Sequence, residues 1–243
     1  MTERGPLDFE EPSDPPGPPD EPPKGPAPPK PPAGISRYGW WFGVLVVAIL
    51  AYIGINTLGN AGKGTTGIAV GKQLPPFAVP LALSNLNGDA NVATGTHQGQ
   101  RGAEPACAVR GPKVLNECQL VAGAPSVLAF LATQGGDCTK QLDLLERVRS
   151  RYPGVRVAAV AIKGNRSTLR ADIRKHGWGF PVGYDRDGAV ANLYGVAVCP
   201  TTTFAYPGGK AMHTALGLLD SEKLNATLSE LVQGSKQRGW KPG

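Results

Sequence analysis

The sequence predicts an α/β domain, because from Ser126 onward apolar runs of strand length alternate with segments of helical spacing. Two continuous apolar runs, at 126–132 and 155–162, are typical of strands that are buried on both faces of a sheet. A β-hairpin signal follows, with strands at 201–206 and 212–219 around a Pro-Gly-Gly-Lys turn. Together these patterns predict a β-α-β half, then a hairpin, then a terminal helix.

Helices are predicted between and after these strands, from capping residues that precede periodic apolar side chains. The first runs from Cys138 to about Tyr152, where a Pro-Gly pair ends it. Two short helices follow, one capped by Ser167 and one preceded by Asp187, and Asp220 caps the last. The predicted order of elements is therefore that of a small α/β sandwich.

The region before this core differs sharply in composition. Of the 24 prolines, 13 lie between Pro6 and Pro32, and a segment so poor in apolar side chains cannot repay the entropy of ordering. Five segments are therefore predicted: a disordered Pro-rich tail at 1–37, a transmembrane helix at 38–60, a linker with an N-terminal β extension at 61–123, the α/β core at 124–233, and a flexible C-terminal tail at 234–243.

The membrane prediction depends on one uncharged stretch. From Tyr38 to Gly62 there is no charged residue, and a helix needs about 20 residues to cross the hydrocarbon layer. Trp40 and Trp41 stand at its start, where interfacial aromatic residues belong. A cleaved signal peptide is the competing interpretation, but the polar region before the apolar run is too long for one.

Charge and cysteine placement predict the orientation and the partners. Three basic residues precede the apolar stretch and two follow it closely, which favours a cytoplasmic N-terminus and an extracytoplasmic C-terminal domain. All four cysteines follow the stretch, where disulfides can persist. The net charge is +6, but the basic residues are dispersed among acids without interleaved aromatic residues, so no nucleic-acid partner is predicted.

Cys107 and Cys118 have ten residues between them, in a loop rich in glycine and proline. A structural disulfide is the role that this setting favours, whereas a reactive role has less support. No pair of cysteine or histidine residues has the spacing of a zinc site, so we expect neither a metal nor a cofactor.

Three segments resemble the thioredoxin fold, and more narrowly the membrane-anchored TlpA/ResA-type branch of redoxins. They are FLATQGGDC (130–138), YDRDGAVANLYGV (184–196) and CPTTTFAYPGG (199–209). The resemblance covers roughly residues 68–232 and implies a central mixed sheet flanked by helices, with an N-terminal β extension. It also implies that Pro200 is the cis-proline that lies beside the active site in this family.

One departure from the family pattern decides the chemistry that we expect. The family motif is Trp-Cys-Gly-Pro-Cys, whereas here Gly135 stands in place of the first cysteine and Cys138 in place of the second. Cys199 immediately precedes Pro200, which in this fold brings it near the start of the Cys138 helix. Our hypothesis is that Cys138 and Cys199 form a non-standard redox pair, which requires Cα atoms within about 7 Å.

The expected function is thiol–disulfide redox chemistry by a membrane-anchored extracytoplasmic protein, with protein thiols or disulfides as substrates and the membrane contacted through 38–60. Two alternatives stay open. Cys138 and Cys199 are inert in the first, which makes the domain a redox-inactive module that binds peptides or proteins. The second is a one-cysteine peroxidase, because residues 133–139 faintly resemble the peroxidatic loop of peroxiredoxins.

Overall fold

The computed structural model describes residues 37–59, 66–96, 104–132 and 136–242. The chain divides into two compact units, with the boundary between Asn56 and Thr57. All of the predicted Pro-rich tail except its last residue lies outside the described residues.

The first unit contains one described helix. This helix, α1 (Arg37–Gly59), lies over the segment that the sequence predicts to cross a membrane. Across the described ranges, however, no helix combines the length and the apolarity that a membrane span needs, so the predicted span is not found there.

The predicted β extension of the second unit consists of two short strands that are far apart in the sequence. Strand β1 (Ala78–Pro80) pairs antiparallel with β2 (Val114–Asn116), and only a single bridge joins Ala78 to Asn91. A short helix, α2 (Glu117–Val121), follows β2 directly. Asn116 caps it by accepting a hydrogen bond from Gln119 N, while its own amide donates to Ala106 O and Val109 O. This capping residue explains the early end of β2.

The main sheet has five strands in the order β5-β4-β3-β6-β7. Their bounds are β3 (Ser126–Ala132), β4 (Arg156–Ile162), β5 (Val182–Asp185), β6 (Thr201–Ala205) and β7 (Ala211–Leu216). β4 runs parallel to β3 and β5, while β6 is antiparallel to β3 and to β7. The predicted mixed sheet is confirmed; β5 was absent from the prediction because a strand of four residues is too short to show a period.

Four helices connect or follow the strands, namely α3 (Gly136–Arg149), α4 (Arg166–His176), α5 (Ala189–Leu193) and α6 (Ser221–Gln237). Asp220 caps α6 as predicted, accepting from Lys223 N at 2.8 Å. The prediction for α4 was wrong, since Asn165 rather than Ser167 accepts the free backbone N–H groups. α6 also continues four residues into the segment predicted as a C-terminal tail.

Apolar cores lie on both faces of the sheet, as continuous apolar strands require. Alternate residues of β3 point to opposite sides, so Leu131 belongs to one core and Phe130 to the other. Helices α3, α4 and α6 cover the first face, whereas α2, α5 and the β extension cover the second. Helix α3 begins four residues after β3 ends, so Cys138 in its first turn is close to the end of that strand.

Two arginines of α4, Arg166 and Arg170, hold the loop after β1 to this core. Arg166 lies at the start of α4 and donates hydrogen bonds to the carbonyl oxygens of Leu81, Ala82, Ser84 and Leu86. Arg170 donates to two of the same oxygens, those of Ala82 and Ser84, and bonds from a charged donor are stronger than neutral ones. The loop after β1 is therefore fixed by these side chains together with the backbone bonds from Leu81 N and Ala82 N.

Candidate redox site

The register of two central strands determines where the predicted site residues meet. Phe130 of β3 pairs with Thr201 of β6, and the two strands are antiparallel. Residues that precede Thr201 therefore lie next to residues that follow Phe130. Cys199 comes two residues before Thr201 and so reaches Ala132, at the end of β3 from which the chain enters α3.

The structure joins Cys138 to Cys199 in a disulfide with an S–S distance of 2.02 Å. Their Cα atoms are 5.5 Å apart, within the range that a disulfide allows, although 61 positions separate them in the chain. Cys138 is in the first turn of α3, and Cys199 is in the loop before β6. The bond thus connects the start of a helix to a loop on the neighbouring strand.

The two sulfur-bearing residues have different surroundings. Cys138 is only 1% exposed and belongs to the apolar core that α3 covers. Cys199 is half-buried at the edge of the same core. Its Sγ accepts a hydrogen bond from the backbone N–H of Ala132 at 3.1 Å, and the Phe130 carbonyl oxygen lies 3.6 Å from that sulfur. Only Cys199 combines partial exposure with a polar backbone contact.

The loop that carries Cys199 is held at both sides. The Cys199–Pro200 peptide bond is cis, in the position that the family resemblance implies. Pro200 O accepts a hydrogen bond from Gly217 N at 2.8 Å, and Thr201 Oγ1 donates to Val198 O at 2.7 Å. Gly217 has a φ of +86°, which a residue without a side chain adopts at little cost. These contacts fix the backbone around the sulfur.

Cys107 and Cys118 form the second disulfide, with Cα atoms 5.5 Å apart. It ties the short turn at 106–108 to α2, in the part of the domain that precedes the sheet. All four cysteines are thereby paired, and none is free. This second bond shares no residue with the site at Cys138 and Cys199.

Removal of the second disulfide is expected to affect stability and leave exchange chemistry intact. In the Cys107→Ser/Cys118→Ser variant, the unfolded chain regains the freedom of a short loop, which lowers the free energy of unfolding by about 2–3 kcal/mol. Chemical denaturation of both proteins measures this difference. Loss of disulfide exchange in a variant that stays folded would contradict the structural role of this bond.

Two buried acids lie outside the disulfide site. Burial raises the pKa of Glu117 to about 7, and its Oε1 atom has no hydrogen-bond partner. Burial also raises the pKa of Asp185 to about 6, against the opposing effect of the hydrogen bond that its carboxylate accepts from Ala191 N. Asp185 thereby positions α5, whereas Glu117 has no such structural bond to explain its burial.

The described domain also has a cleft away from the disulfide site. It has a volume of about 630 Å³ and is lined by residues that include Glu146, Arg149 and Arg156. Arg156 opens β4, which runs parallel to β3, so the cleft lies at the opposite end of the strands from Ala132 and Cys199. This cleft therefore does not identify the redox site. The placement of the cysteines identifies it instead.

Comparison with known proteins agrees with this architecture. Residues 111–213 match the model of the AhpC/TSA family, a range that includes Cys138, Cys199 and Pro200. The chain is 28% identical to the thiol-disulfide oxidoreductase ResA of Oceanobacillus iheyensis over 112 residues. That match covers 45% of this chain and 58% of the relative, which is less than two thirds of its length. A match to ResA of Geobacillus thermodenitrificans is 24% identical and covers 77% of this chain and 92% of that protein.

Solved structures show the same fold. A protein provisionally assigned as the thiol:disulfide interchange protein DsbE of Chlorobium tepidum superimposes with a TM-score of 0.52 at 19% identity, over 69% of this chain and 98% of its own. An uncharacterised conserved protein of Geobacillus kaustophilus gives a TM-score of 0.52 at 18% identity, over 68% and 83% of the two chains. The domain has a thioredoxin-like fold.

Within this domain, the structure brings together Cys138, Cys199 and Pro200, and it separately pairs Cys107 with Cys118. Gly135, which the sequence comparison above aligns with the first cysteine of the family motif, lies outside the described residues. Sequence reasoning missed the Ala132 N–H group, because a backbone donor leaves no signal in a motif. It also missed Glu117, which directly follows β2 and begins α2. An acidic residue between two apolar elements is the sequence signal that could have suggested a buried carboxyl group.

Proposed function

We propose that the redoxin domain exchanges disulfides with thiols of other proteins through the Cys138–Cys199 pair. The observation that carries the proposal is the disulfide between the start of α3 and the loop before Pro200. Each of the two segments contributes one sulfur, so the pair supplies the two-electron capacity that the missing cysteine at position 135 would otherwise provide. The activity of the two ResA relatives supports the same class of chemistry.

The proposed reaction balances as an exchange of one disulfide for another. A substrate thiolate attacks one sulfur of the Cys138–Cys199 bond, that bond breaks, and a mixed disulfide and one protein thiolate result. A second substrate thiolate then displaces the protein sulfur. The substrate leaves with a disulfide, having lost two electrons and two protons, and the protein holds two thiols. The reverse sequence reduces a substrate disulfide.

The alternative of a one-cysteine peroxidase has less support from the geometry. Such an enzyme needs a peroxide to reach a thiolate, whereas Cys138 is 1% exposed and its sulfur is bonded to Cys199. The geometry is equally compatible with a redox-inactive binding module, in which the same loop binds a peptide while its disulfide stays closed. The two ideas differ in whether the bond opens in the folded protein.

The proposal includes a location in an oxidising compartment outside the cytosol. Four cysteines in two disulfides support it, because such bonds persist where thiols are not kept reduced. Attachment through residues 38–60, with the N-terminus in the cytosol, stays a prediction of the sequence. A C-terminal fusion to a reporter that is active only outside the cytosol tests this location; an inactive fusion that is stably produced would contradict it.

Equilibration of the folded full chain with glutathione buffers of graded redox potential tests the proposed chemistry. We expect two thiols to appear while the protein is still folded, and alkylation mapping to place them at Cys138 and Cys199. We also expect the oxidised protein to convert a reduced dithiol peptide into its disulfide. A bond that opens only when the protein unfolds would overturn the proposal and favour the binding module. Conversion of Cys138 to a sulfenic acid by hydrogen peroxide, without exchange, would favour the peroxidase.

A further inference from the structure

We infer that Cys199, rather than Cys138, is the sulfur that exchanges with the substrate, and that Cys138 completes the exchange from inside the core. This assignment rests on the proposed function and adds the order of the two sulfurs. It places the attacking group in the loop before Pro200, on a different element from the helix to which the family motif assigns it.

Access is the first argument for this order. Cys138 is 1% exposed and belongs to the same apolar core as Leu142, so a substrate has little access to its sulfur in the folded protein. Cys199 is half-buried, and the side chain before it, Val198, is 45% exposed. Exchange requires the attacking atom to reach one particular sulfur, so the exposed side of the bond determines which one reacts.

Stabilisation of a thiolate at Cys199 is the second argument. The Ala132 N–H group already points at Cys199 Sγ from a distance of 3.1 Å. A hydrogen bond to a charged group favours the charged form, so this donor lowers the free energy of the Cys199 thiolate in the reduced protein. The Phe130 carbonyl oxygen acts in the opposite direction, but from the longer distance of 3.6 Å. The strand register fixes the donor, since Ala132 is the last residue of β3 and pairs with Ile162 of β4. Of the two sulfurs of the bond, Cys199 Sγ is the one that accepts this hydrogen bond.

Departure of Cys138 is the third argument. When a substrate thiolate attacks Cys199 Sγ, the S–S bond breaks and the electron pair goes to the sulfur of Cys138. That residue lies in the first turn of α3, a helix of 14 residues whose N-terminal N–H groups stabilise negative charge. A better stabilised thiolate leaves faster. Both sulfurs are therefore placed for the roles that the inference gives them, one for attack and one for departure.

Full reaction in the reducing direction follows the same order. The Cys199 thiolate attacks a substrate disulfide, a new S–S bond forms, and one substrate thiolate departs and takes up a proton from water. The Cys138 thiolate, formed by loss of its proton to water, then attacks Cys199 Sγ and releases the second substrate thiolate. The protein ends with the Cys138–Cys199 disulfide, and the substrate has gained two electrons.

Glutathione disulfide and two single variants of the full chain test this order. In the Cys138→Ser variant, Cys199 is expected to take up one glutathione in the folded protein, which mass spectrometry with peptide mapping detects. In the Cys199→Ser variant, uptake at Cys138 is expected to be at least about tenfold slower, because the buried sulfur is not reachable. In denaturant the two variants should react at similar rates, which shows that the fold causes the difference.

Labelling of the reduced wild-type protein with a limiting amount of iodoacetamide provides a second readout that does not depend on the folding of either variant. Cys199 is expected to be alkylated first, with a pH midpoint below the value of about 8.5 for an ordinary thiol. Faster reaction at Cys138, or equal rates at both sulfurs, would overturn the inference while disulfide exchange by the wild type stands. A wild type that does not exchange at all would instead refute the proposed function.

Discussion

Replacement of both Cys138 and Cys199 with serine is expected to reduce disulfide exchange to the rate measured without protein. The variant has no sulfur at the only site where the described structure places a disulfide beside the cis Cys199–Pro200 bond. Hydroxyl groups do not form disulfides, so neither step of the exchange is possible. The reduction of insulin by dithiothreitol, followed as turbidity, measures the rate with and without each protein.

The Cys107→Ser/Cys118→Ser variant is the matched control for this experiment, because it removes the same number of sulfurs from the other disulfide. We expect it to keep the wild-type rate at a temperature where it is folded, which near-ultraviolet circular dichroism verifies. Insulin reduction at the wild-type rate by the Cys138→Ser/Cys199→Ser variant would show that the chemistry is located elsewhere.

A second large effect is expected at Glu117, whose replacement with glutamine should make the stability of the domain less dependent on pH. Burial raises the pKa of Glu117 in the folded protein from 4.5 to about 7. Between these two values the folded state holds a proton that the unfolded state has released, so the free energy of unfolding falls as the pH rises. A shift of this size corresponds to at most about 3 kcal/mol, nearly all of it lost by the time the pH exceeds 7.

Glutamine keeps the size of Glu117 but cannot ionise, so the variant lacks this loss. We expect the two proteins to differ little in stability at pH 4.5 and the variant to be more stable by about 1–3 kcal/mol at pH 8. Urea denaturation at both pH values measures the difference, and Glu230→Gln, on the exposed surface of α6, is the matched control. A variant that differs from the wild type by the same amount at both pH values would contradict the raised pKa of Glu117.

Asp185 contributes in the same direction, because burial raises its pKa from 3.8 to about 6. Its contribution is present in the wild type and in Glu117→Gln alike, so comparison of the two isolates Glu117. Asp185 is also less suited to replacement, since its carboxylate accepts the Ala191 N–H that orients α5. Both acids have one buried oxygen without a hydrogen-bond partner, so the choice of Glu117 follows from the absence of a capping role for its carboxyl group.

The elements that the sequence predicted well have long apolar patterns or strong local signals. Strand β3 was predicted residue for residue, because seven apolar or small residues in succession can only be satisfied by burial on both faces. Asp220 was identified as a helix cap, because that preference depends on neighbours within three positions. The weaker predictions concern β1 and β2, whose pairing joins residues 78–80 to residues 114–116 and depends on a register that no local pattern encodes.

Sequence alone predicted which residues carry the proposed chemistry, since only four cysteines exist and glycine occupies position 135. The tertiary structure decided how the two sulfurs differ. The sequence alone shows neither the 5.5 Å between the Cα atoms of Cys138 and Cys199 nor the hydrogen bond that Ala132 N–H donates to Cys199 Sγ. Both arise from the antiparallel register of β3 and β6, which brings together groups 67 positions apart, and such long-range pairing is set by the packing of the whole sheet.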